Sequence, residues 1–288
     1  MKIEGTTRIT GLFGYPVRHT FSPAMHNAAF AERAMDYAYV PFEVHPRDLK
    51  AAVAALIPLG IVGVNITIPH KETVIPLLDE ISEEAALMGS VNTIQVTEGR
   101  LKGHNTDAYG YETSLRLEGD FELKDKRIFV LGAGGAARAV CFQSALAGVA
   151  ELVIADVVGA RAEALGEAVL QAFPDCGVEI CSADAGVLRK ALAGKDLFVN
   201  ATPIGMKVND PQLIDAAWLD PSALVFDVIY NPEETRLLRE AKAQGFKTLN
   251  GIGMLVHQGA RAFEIFTGVA APVTVMAEVL REKFQEHP

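Results

Sequence analysis

Short apolar runs rich in β-formers alternate along this chain with stretches whose apolar residues recur every three or four positions. The first kind predicts buried strands and the second predicts helices laid against a sheet. In the first hundred residues, strands are expected over Arg8–Gly14, Tyr37–Val44, Ile61–Pro69 and Gly89–Val96, with a shorter one from Leu101. Helices are expected from Ser22 to about Ala34, over Pro46–Leu56 and over Ser82–Met88. Ser22 before Pro23 reads as an N-cap with proline in the first turn. Glu98-Gly99-Arg100 reads as a hairpin-like turn. A helix near Tyr109–Glu118 then bridges to a second alternation. There, strands at 128–131, 151–156, 178–181, 197–200, 223–228 and 247–249 are interleaved with helices at 136–148, 160–173, 185–193 and 232–244, with a loop over Ala201–Asp210. Two helices, Gly251 to about Gly268 and Pro272 to Phe284, end the pattern. Strands alternating with helices predict parallel, doubly wound sheets.

One junction in this pattern carries chemistry. Ile128-Phe129-Val130-Leu131 runs into Gly132-Ala133-Gly134-Gly135-Ala136-Ala137, and a helical stretch follows at once. This is the strand–turn–helix opening of a dinucleotide-binding unit. Gly132 permits the tight turn, and Gly134 lets the backbone approach a pyrophosphate. Ala137 is small enough for close helix–strand packing, and the helix N-terminus faces the phosphates. The next strand ends in Asp156, 24 residues beyond Gly132, near the roughly 20 expected of an acid that binds a ribose diol. Because this unit begins near residue 128, the first hundred residues must form an α/β layer of their own.

Composition narrows the function classes. The chain has 288 residues, half of them hydrophobic, and a formal net charge of −10. That balance argues against a nucleic-acid partner, which would favour a basic patch, and leaves a small anionic substrate open. Three cysteines, Cys141, Cys176 and Cys181, form no C-x-x-C pair. A reducing cytoplasm fits, and Cys141 reads as core filler. The start lacks a signal-peptide apolar region, and no apolar run approaches the ~20 residues that span a bilayer. The seven histidines offer no H-E-x-x-H, so no metal is expected, and His257 reads as a surface or packing residue.

Asn65-x-Thr67-x-Pro69-x-Lys71 places an amide, a hydroxyl and an amine at the carboxyl end of a probable parallel strand, where ligands collect in open α/β sheets. In a strand Asn65 and Thr67 would share one face. Asn105-Thr106-Asp107 ends another strand. A carboxylate beside Lys71 would make an acid–base couple, and Asp107 could also cap the following helix, since the two roles can coexist.

Taken together, Asn65–Lys71, Gly89-Ser90-Val91-Asn92-Thr93, Gly103-His104-Asn105-Thr106-Asp107, the glycine turn, Asn200-Ala201-Thr202-Pro203-Ile204-Gly205-Met206, Asp227-Val228-Ile229-Tyr230-Asn231-Pro232 and Gly253-Met254-Leu255-Val256-His257-Gln258 occur in one order. In these motifs the chain resembles the shikimate dehydrogenase family, which includes quinate/shikimate dehydrogenases. The resemblance implies reversible reduction of 3-dehydroshikimate to shikimate by a nicotinamide cofactor. It implies Lys71 as the proton donor and acceptor, with Asp107 as its partner. It implies Thr20, Ser22, Thr67, Asn92, Asp107, Tyr230 and Gln258 as substrate contacts. It implies Gly132, Ala133, Gly134, Gly135, Ala136, Asp156, Arg161, Val228 and Gly251 at the cofactor. The implied architecture is α/β with two domains, an N-terminal substrate domain (1–107 with 251–288) and a Rossmann dinucleotide-binding domain (108–250), with the active site in the cleft between them. A monomer or homodimer in the cytoplasm is expected.

Two positions depart from the family pattern. Thr20 stands where serine is typical; it keeps the hydroxyl and adds a methyl. After the second Rossmann strand, NADP-using members carry Asn-Arg-Thr or Asn-Arg-Ser, whereas this chain has Asp156-Val157-Val158-Gly159-Ala160-Arg161. A carboxylate repels a 2′-phosphate and valine cannot pair with one, so NAD is expected over the family's usual NADP. Arg161 could still swing toward such a phosphate. The same acid keeps open an NAD-dependent quinate/shikimate dehydrogenase acting oxidatively. A non-catalytic nucleotide sensor is disfavoured by the presence of both Lys71 and Asp107.

Overall fold

A computed structural model describes residues 2–207 and 209–286. Val208, inside the loop expected over Ala201–Asp210, lies outside the described residues, as does Met1. The chain divides into two compact units, one running to Gly110 and resuming at Val256, the other spanning Tyr111–Leu255.

The first unit holds strands β1 (Arg8–Gly14), β2 (Tyr37–Glu43), β3 (Gly63–Ile66), β4 (Glu80–Ile81), β5 (Thr93–Thr97) and β6 (Arg100–His104). They form a six-stranded sheet in the order β2-β1-β3-β5-β6-β4. Helices α1 (Ser22–Glu32), α2 (Leu49–Ala55) and α3 (Glu83–Met88) belong to it, as does α10 (Val273–Glu286). This sheet is not parallel throughout, and the hairpin-like turn expected at Glu98-Gly99-Arg100 is present. β5 runs antiparallel to both β3 and β6. Its link to β6 is the tight turn Glu98-Gly99, both residues with positive φ, 53° and 73°, which reverses the chain in two residues. The expected strand over Gly89–Val96 is also shortened. Gly89 is the left-handed cap of α3 at φ 57°, so pairing starts only at Thr93. β4 was not expected at all, since two residues carry no period.

Ser22 is not an N-cap. α1 is entered from Phe21 without a capping side chain, and the Ser22 amide itself donates to Thr20 Oγ1 at 3.3 Å. In the same way Pro46–Asp48 is a 3₁₀ turn ahead of α2.

The second unit holds β7 (Arg127–Leu131), β8 (Glu151–Asp156), β9 (Val178–Ser182), β10 (Leu197–Asn200), β11 (Leu224–Asp227) and β12 (Lys247–Leu249). They form one sheet in the order β12-β11-β10-β7-β8-β9, parallel throughout. Helices α5 (Gly135–Leu146), α6 (Gly159–Ala172), α7 (Ala185–Leu192) and α8 (Arg236–Ala243) connect them. Strands covered on both faces must be apolar on both. Phe129, Val130, Val153, Ile154, Phe198, Val199, Val225 and Phe226 are accordingly all buried. α8 begins at Arg236 rather than Pro232, because Thr235 is its cap and accepts from the Leu238 amide. The unit boundaries fall inside α4 (Asp107–Leu117) and α9 (Ile252–Thr267), so each of these helices begins in one unit and ends in the other. Among the described residues, no helix is long and apolar enough to cross a membrane.

His26 of α1 is 1% exposed and stacks on Tyr39 of β2, with ring centroids 4.3 Å apart and planes 4° apart. Its Nδ1 is buried without a hydrogen-bond partner. Burial lowers its pKa from 6.5 to about 3, because a charged ring there would be desolvated. As pH falls below 6.5 the unfolded chain takes up a proton that the folded chain refuses. The stability held above pH 6.5 is therefore lost progressively toward pH 3. Between pH 7 and 5 this one residue accounts for a loss of about 2 kcal/mol. His26→Phe keeps the ring stack and removes the titration. Denaturant melts of both proteins at pH 7 and pH 5 are expected to show a smaller acid-side loss in the variant; parallel losses would refute this account.

Candidate active site

Lys71 follows the end of β3 by a short turn, and Asp107 opens α4. The Lys71 Nζ donates to Asp107 Oδ2 at 2.6 Å, with the two side chains 22% and 13% exposed. A partly screened ammonium–carboxylate pair this short is a charge-assisted hydrogen bond that fixes the amine's position. The other carboxylate oxygen, Oδ1, accepts from Asn92 Nδ2 at 2.9 Å. Asp107 is the first residue of α4, and the two oxygens of its carboxylate go to Lys71 and Asn92. Asn105 Oδ1 accepts the Asp107 amide at 3.0 Å.

Asn92 is buried and its amide has a single orientation. Its Oδ1 accepts from the Thr106 amide at 2.8 Å, from Thr106 Oγ1 at 3.2 Å and from Thr93 Oγ1 at 3.0 Å. A backbone N–H can only donate, so the oxygen must face it and the NH₂ must face Asp107. Asn65 is pinned in the same manner. Its Nδ2 faces the Asn92 carbonyl at 3.3 Å and Thr93 Oγ1 at 2.9 Å, and its Oδ1 accepts the Tyr39 hydroxyl at 2.8 Å. Thr20 Oγ1 lies 3.3 Å from Ser22 Oγ. Thr67 is half-buried just past β3, and Gln258 is half-buried on α9 in the same unit. The sequence reading thus places Lys71, Asp107, Asn92, Thr20, Ser22, Thr67 and Gln258 in one unit. It missed Tyr39, Thr93, Thr106 and Asn105 as members of the network. The available signal for Tyr39 was a hydroxyl on the inward face of an apolar strand, which must find a partner when buried.

The second unit carries the glycine turn. Gly132 has φ 112°, and a Cβ there would lie 2.7 Å from the Ala201 carbonyl oxygen, so no other residue fits. Gly134 is the N-cap of α5 and supplies no capping side chain. A Cβ on Gly134 or Gly135 would meet nothing within 4 Å. The first amides of a twelve-residue helix therefore lie uncapped beneath an open face, which suits the phosphates of a dinucleotide. Asp156 holds this turn as well as ending β8. Its Oδ2 accepts the Ala133 amide and its Oδ1 the Val158 amide, both at 2.8 Å. Each oxygen keeps a lone pair for a ribose hydroxyl. Val157 is 90% exposed, and Arg161 is exposed on α6. Val228 and Tyr230 are half-buried, and Gly251 is buried with its amide on the Ile229 carbonyl at 3.0 Å. Burial raises the Tyr230 hydroxyl above its ordinary range.

Asp227 of β11 anchors the far side of this sheet. It accepts from Asn200 Nδ2, the Ile229 amide and Thr235 Oγ1 at 3.0, 3.1 and 2.7 Å. Desolvation still outweighs these three donors and pushes its carboxyl up to about 6. Among the described residues, no group of three or more histidine, cysteine or acidic side chains could hold a metal ion.

Comparison with known proteins identifies relatives over nearly the whole chain. Residues 12–94 match the shikimate dehydrogenase substrate binding domain, and residues 251–281 match the shikimate 5'-dehydrogenase C-terminal domain. The chain is 45% identical over 284 residues to a shikimate dehydrogenase (NADP(+)) of Desulforamulus reducens, covering 98% of this chain and 97% of that one. The solved shikimate 5-dehydrogenase of Listeria monocytogenes, in complex with shikimate and NAD, is 40% identical, with a TM-score of 0.92 over 97% of this chain and 98% of that one. A quinate dehydrogenase of Corynebacterium glutamicum in complex with NAD is 35% identical, with a TM-score of 0.90 over 96% of this chain and 99% of that one. With near full-length identity at this level and the motifs in place, the chain belongs to the shikimate dehydrogenase family.

Proposed function

We propose that this chain catalyses the reversible reduction of 3-dehydroshikimate to shikimate with a nicotinamide dinucleotide, and that Lys71 and Asp107 form its proton couple. The observation that carries the mechanism is the 2.6 Å Lys71–Asp107 contact, closed from behind by Asn92. In the reductive direction the Lys71 ammonium gives a proton to the oxygen at C3. Asp107 holds the Nζ in place throughout, so no entropy is spent finding the lysine at the moment of reaction. In the oxidative direction Lys71 takes the proton from the hydroxyl. The nicotinamide, when bound, supplies or accepts the hydride.

The first unit is the substrate domain in this reading. Thr20, Ser22, Thr67, Asn92, Asp107 and Gln258 offer the hydroxyls, amides and carboxylate that a polyhydroxylated carboxylic acid needs, and Tyr230 is kept as a further substrate position on the family resemblance. The second unit is the dinucleotide domain. Gly132, Ala133, Gly134, Gly135 and Ala136 offer backbone to the phosphates, Asp156 offers its carboxylate to the ribose, and Arg161, Val228 and Gly251 complete the cofactor positions.

NAD is the preferred cofactor. Asp156 offers a negative charge that would repel a 2′-phosphate, and the exposed Val157 side chain offers that phosphate no donor. The relatives' names include both cofactors, so the local chemistry has to decide. The NAD-bound quinate dehydrogenase among them, together with Asp156, supports a second reading in which the same couple oxidises quinate.

Lys71→Ala is expected to lower kcat by about two orders of magnitude or more, with the thermal midpoint little changed; turnover near wild type would end the proton-couple reading. Initial rates for shikimate and quinate, each against NAD and NADP, are expected to give the highest kcat/KM with shikimate and NAD. A strong NADP preference would refute the role given to Asp156, and a quinate preference would favour the second reading. Val157→Arg is expected to raise kcat/KM for NADP relative to NAD; an unchanged ratio would show that this position does not face the 2′ oxygen.

A further inference from the structure

Four neighbouring strands of the second sheet, β12, β11, β10 and β7, run parallel and end side by side. Open α/β sheets take their ligands at such carboxyl ends, and Gly132, Val228 and Gly251 all lie just beyond them. One carboxylate, Asp227, stands inside this row and is 0% exposed. Three donors converge on it. Asn200 Nδ2 and the Ile229 amide reach its Oδ1 at 3.0 and 3.1 Å, and Thr235 Oγ1 reaches its Oδ2 at 2.7 Å.

Main-chain groups set the direction of each bond, because their polarity cannot reverse. The Ile229 amide can only donate. Asn200 Oδ1 accepts the Thr202 amide at 3.0 Å and Asn200 Nδ2 also meets the Ile204 carbonyl at 3.1 Å, so its NH₂ is turned onto Asp227. Thr235 Oγ1 accepts the Leu238 amide at 3.3 Å, which leaves its own hydrogen for Asp227.

Each bond ends against backbone that the dinucleotide reading uses. The Asn200 carbonyl accepts the Val228 amide at 3.0 Å. Ala201, the next residue, gives its amide to the Leu131 carbonyl at 2.7 Å, and its own carbonyl forms the wall behind Gly132. The Ile229 carbonyl accepts the Gly251 amide at 3.0 Å, and a Cβ on Gly251 would run into the Val228 carbonyl. Thr235 closes the loop that begins at Val228 and caps α8.

We infer that Asp227 is a positioning residue for the dinucleotide: its carboxylate draws together the loops after β10 and β11, and so sets the backbone of Val228 and Gly251 and the wall behind Gly132. The inference rests on the reading of those three residues as cofactor positions. Asp227 is too enclosed to touch a ligand, so it acts only through its neighbours. Among the described residues, none of its bonds involves Asp156, Val157 or Arg161, which face the 2′ oxygen in the same reading.

Asp227→Asn keeps an oxygen for Asn200 and Ile229 and turns an NH₂ onto Thr235 Oγ1, whose hydroxyl can rotate to accept it. Asp227→Ala leaves the Ile229 amide buried without an acceptor. Titrations with NADH and with NADPH, without substrate and far below the melting range, read the Kd of the folded protein. Asp227→Ala is expected to raise both Kd values about tenfold, the scale of one lost buried hydrogen bond, with the ratio between them unchanged. Asp227→Asn is expected to stay close to wild type. A purely structural role would lower the melting temperature and leave both Kd values in place. Asp227→Ala binding within twofold of wild type, a shifted NADH-to-NADPH ratio, or Asp227→Asn as weak as Asp227→Ala would overturn the inference. If Asp227→Ala fails to fold, Thr235→Val removes the Oδ2 bond and is expected to raise both Kd values severalfold, with Thr235→Ser restoring them; wild-type Kd values in Thr235→Val would overturn the inference equally. A wild-type protein that binds neither dinucleotide ends the reading of the second unit as a dinucleotide domain, whereas wild-type binding beside an unaffected Asp227→Ala ends only the role given to Asp227.

Discussion

Asn92 can face only one way, and the chemistry of the first unit depends on that. A primary amide has a donor end and an acceptor end of nearly the same shape, so in open solvent it turns freely. Here the Thr106 backbone amide at 2.8 Å settles the acceptor end, and the donor end falls on Asp107. Asp107 then has one oxygen committed and one oxygen for Lys71. A carboxylate with both oxygens engaged from fixed directions cannot rotate away from the lysine. The side chains that would do the chemistry are long and flexible, and their precision is borrowed from main-chain groups that neither flip nor titrate.

The second unit solves the same problem with different parts. Asp156 binds the Ala133 and Val158 amides, one with each oxygen. The acid at the end of β8 thereby fixes the glycine turn. Asn200 and Asp227 repeat the pattern at the ends of β10 and β11. Asn200 Oδ1 accepts from the Thr202 amide at 3.0 Å, which turns its NH₂ onto Asp227. Loops that leave the carboxyl ends of these strands are in each case held by a short polar side chain at or next to the last strand residue.

Much of this was legible in the sequence where one residue type has one use. The glycine turn announced itself because only glycine tolerates the backbone of Gly132, and the strand before it is apolar on both faces. The parallel order of the second sheet follows from strands alternating with helices, broken only between β10 and β11, which a long loop with a 3₁₀ turn joins. Lys71 and Asp107 were visible as charged groups at strand ends. The hidden part was what depends on register between distant segments. Asn105 and Asp107 both suit a helix start, and only the fold shows that Asn105 accepts the Asp107 amide while the Asp107 carboxylate faces Lys71 and Asn92. Ser22 before Pro23 looked like a cap, yet its hydroxyl accepts from Thr20 Oγ1 instead. Asp156 was read as a ribose acid, while its grip on the glycine turn depends on how closely β7 and β8 approach.

The antiparallel strand that the alternation rule missed is what assembles the candidate site. β5 pairs Thr93 with Asn65 on one side and with His104 on the other. That register sets Thr93 Oγ1 beside the Asn65 amide and brings Asn92 next to Thr106. Parallel strands joined by crossover helices bring strand ends to one edge but leave their side chains a full helix apart in sequence. A hairpin inserted beside β3 instead lays three polar segments, 65–71, 92–93 and 104–107, directly against one another. The tight turn at Glu98-Gly99 fixes the β5–β6 half of that register. One residue of slippage would turn every side chain of the strand to the opposite face. Thr93 would then leave Asn65, and the amide that faces Asp107 would lose the groups that aim it. The departure from a purely parallel sheet is thus the structural reason that Lys71 and Asp107, 36 residues apart in the chain, meet with their donors already set.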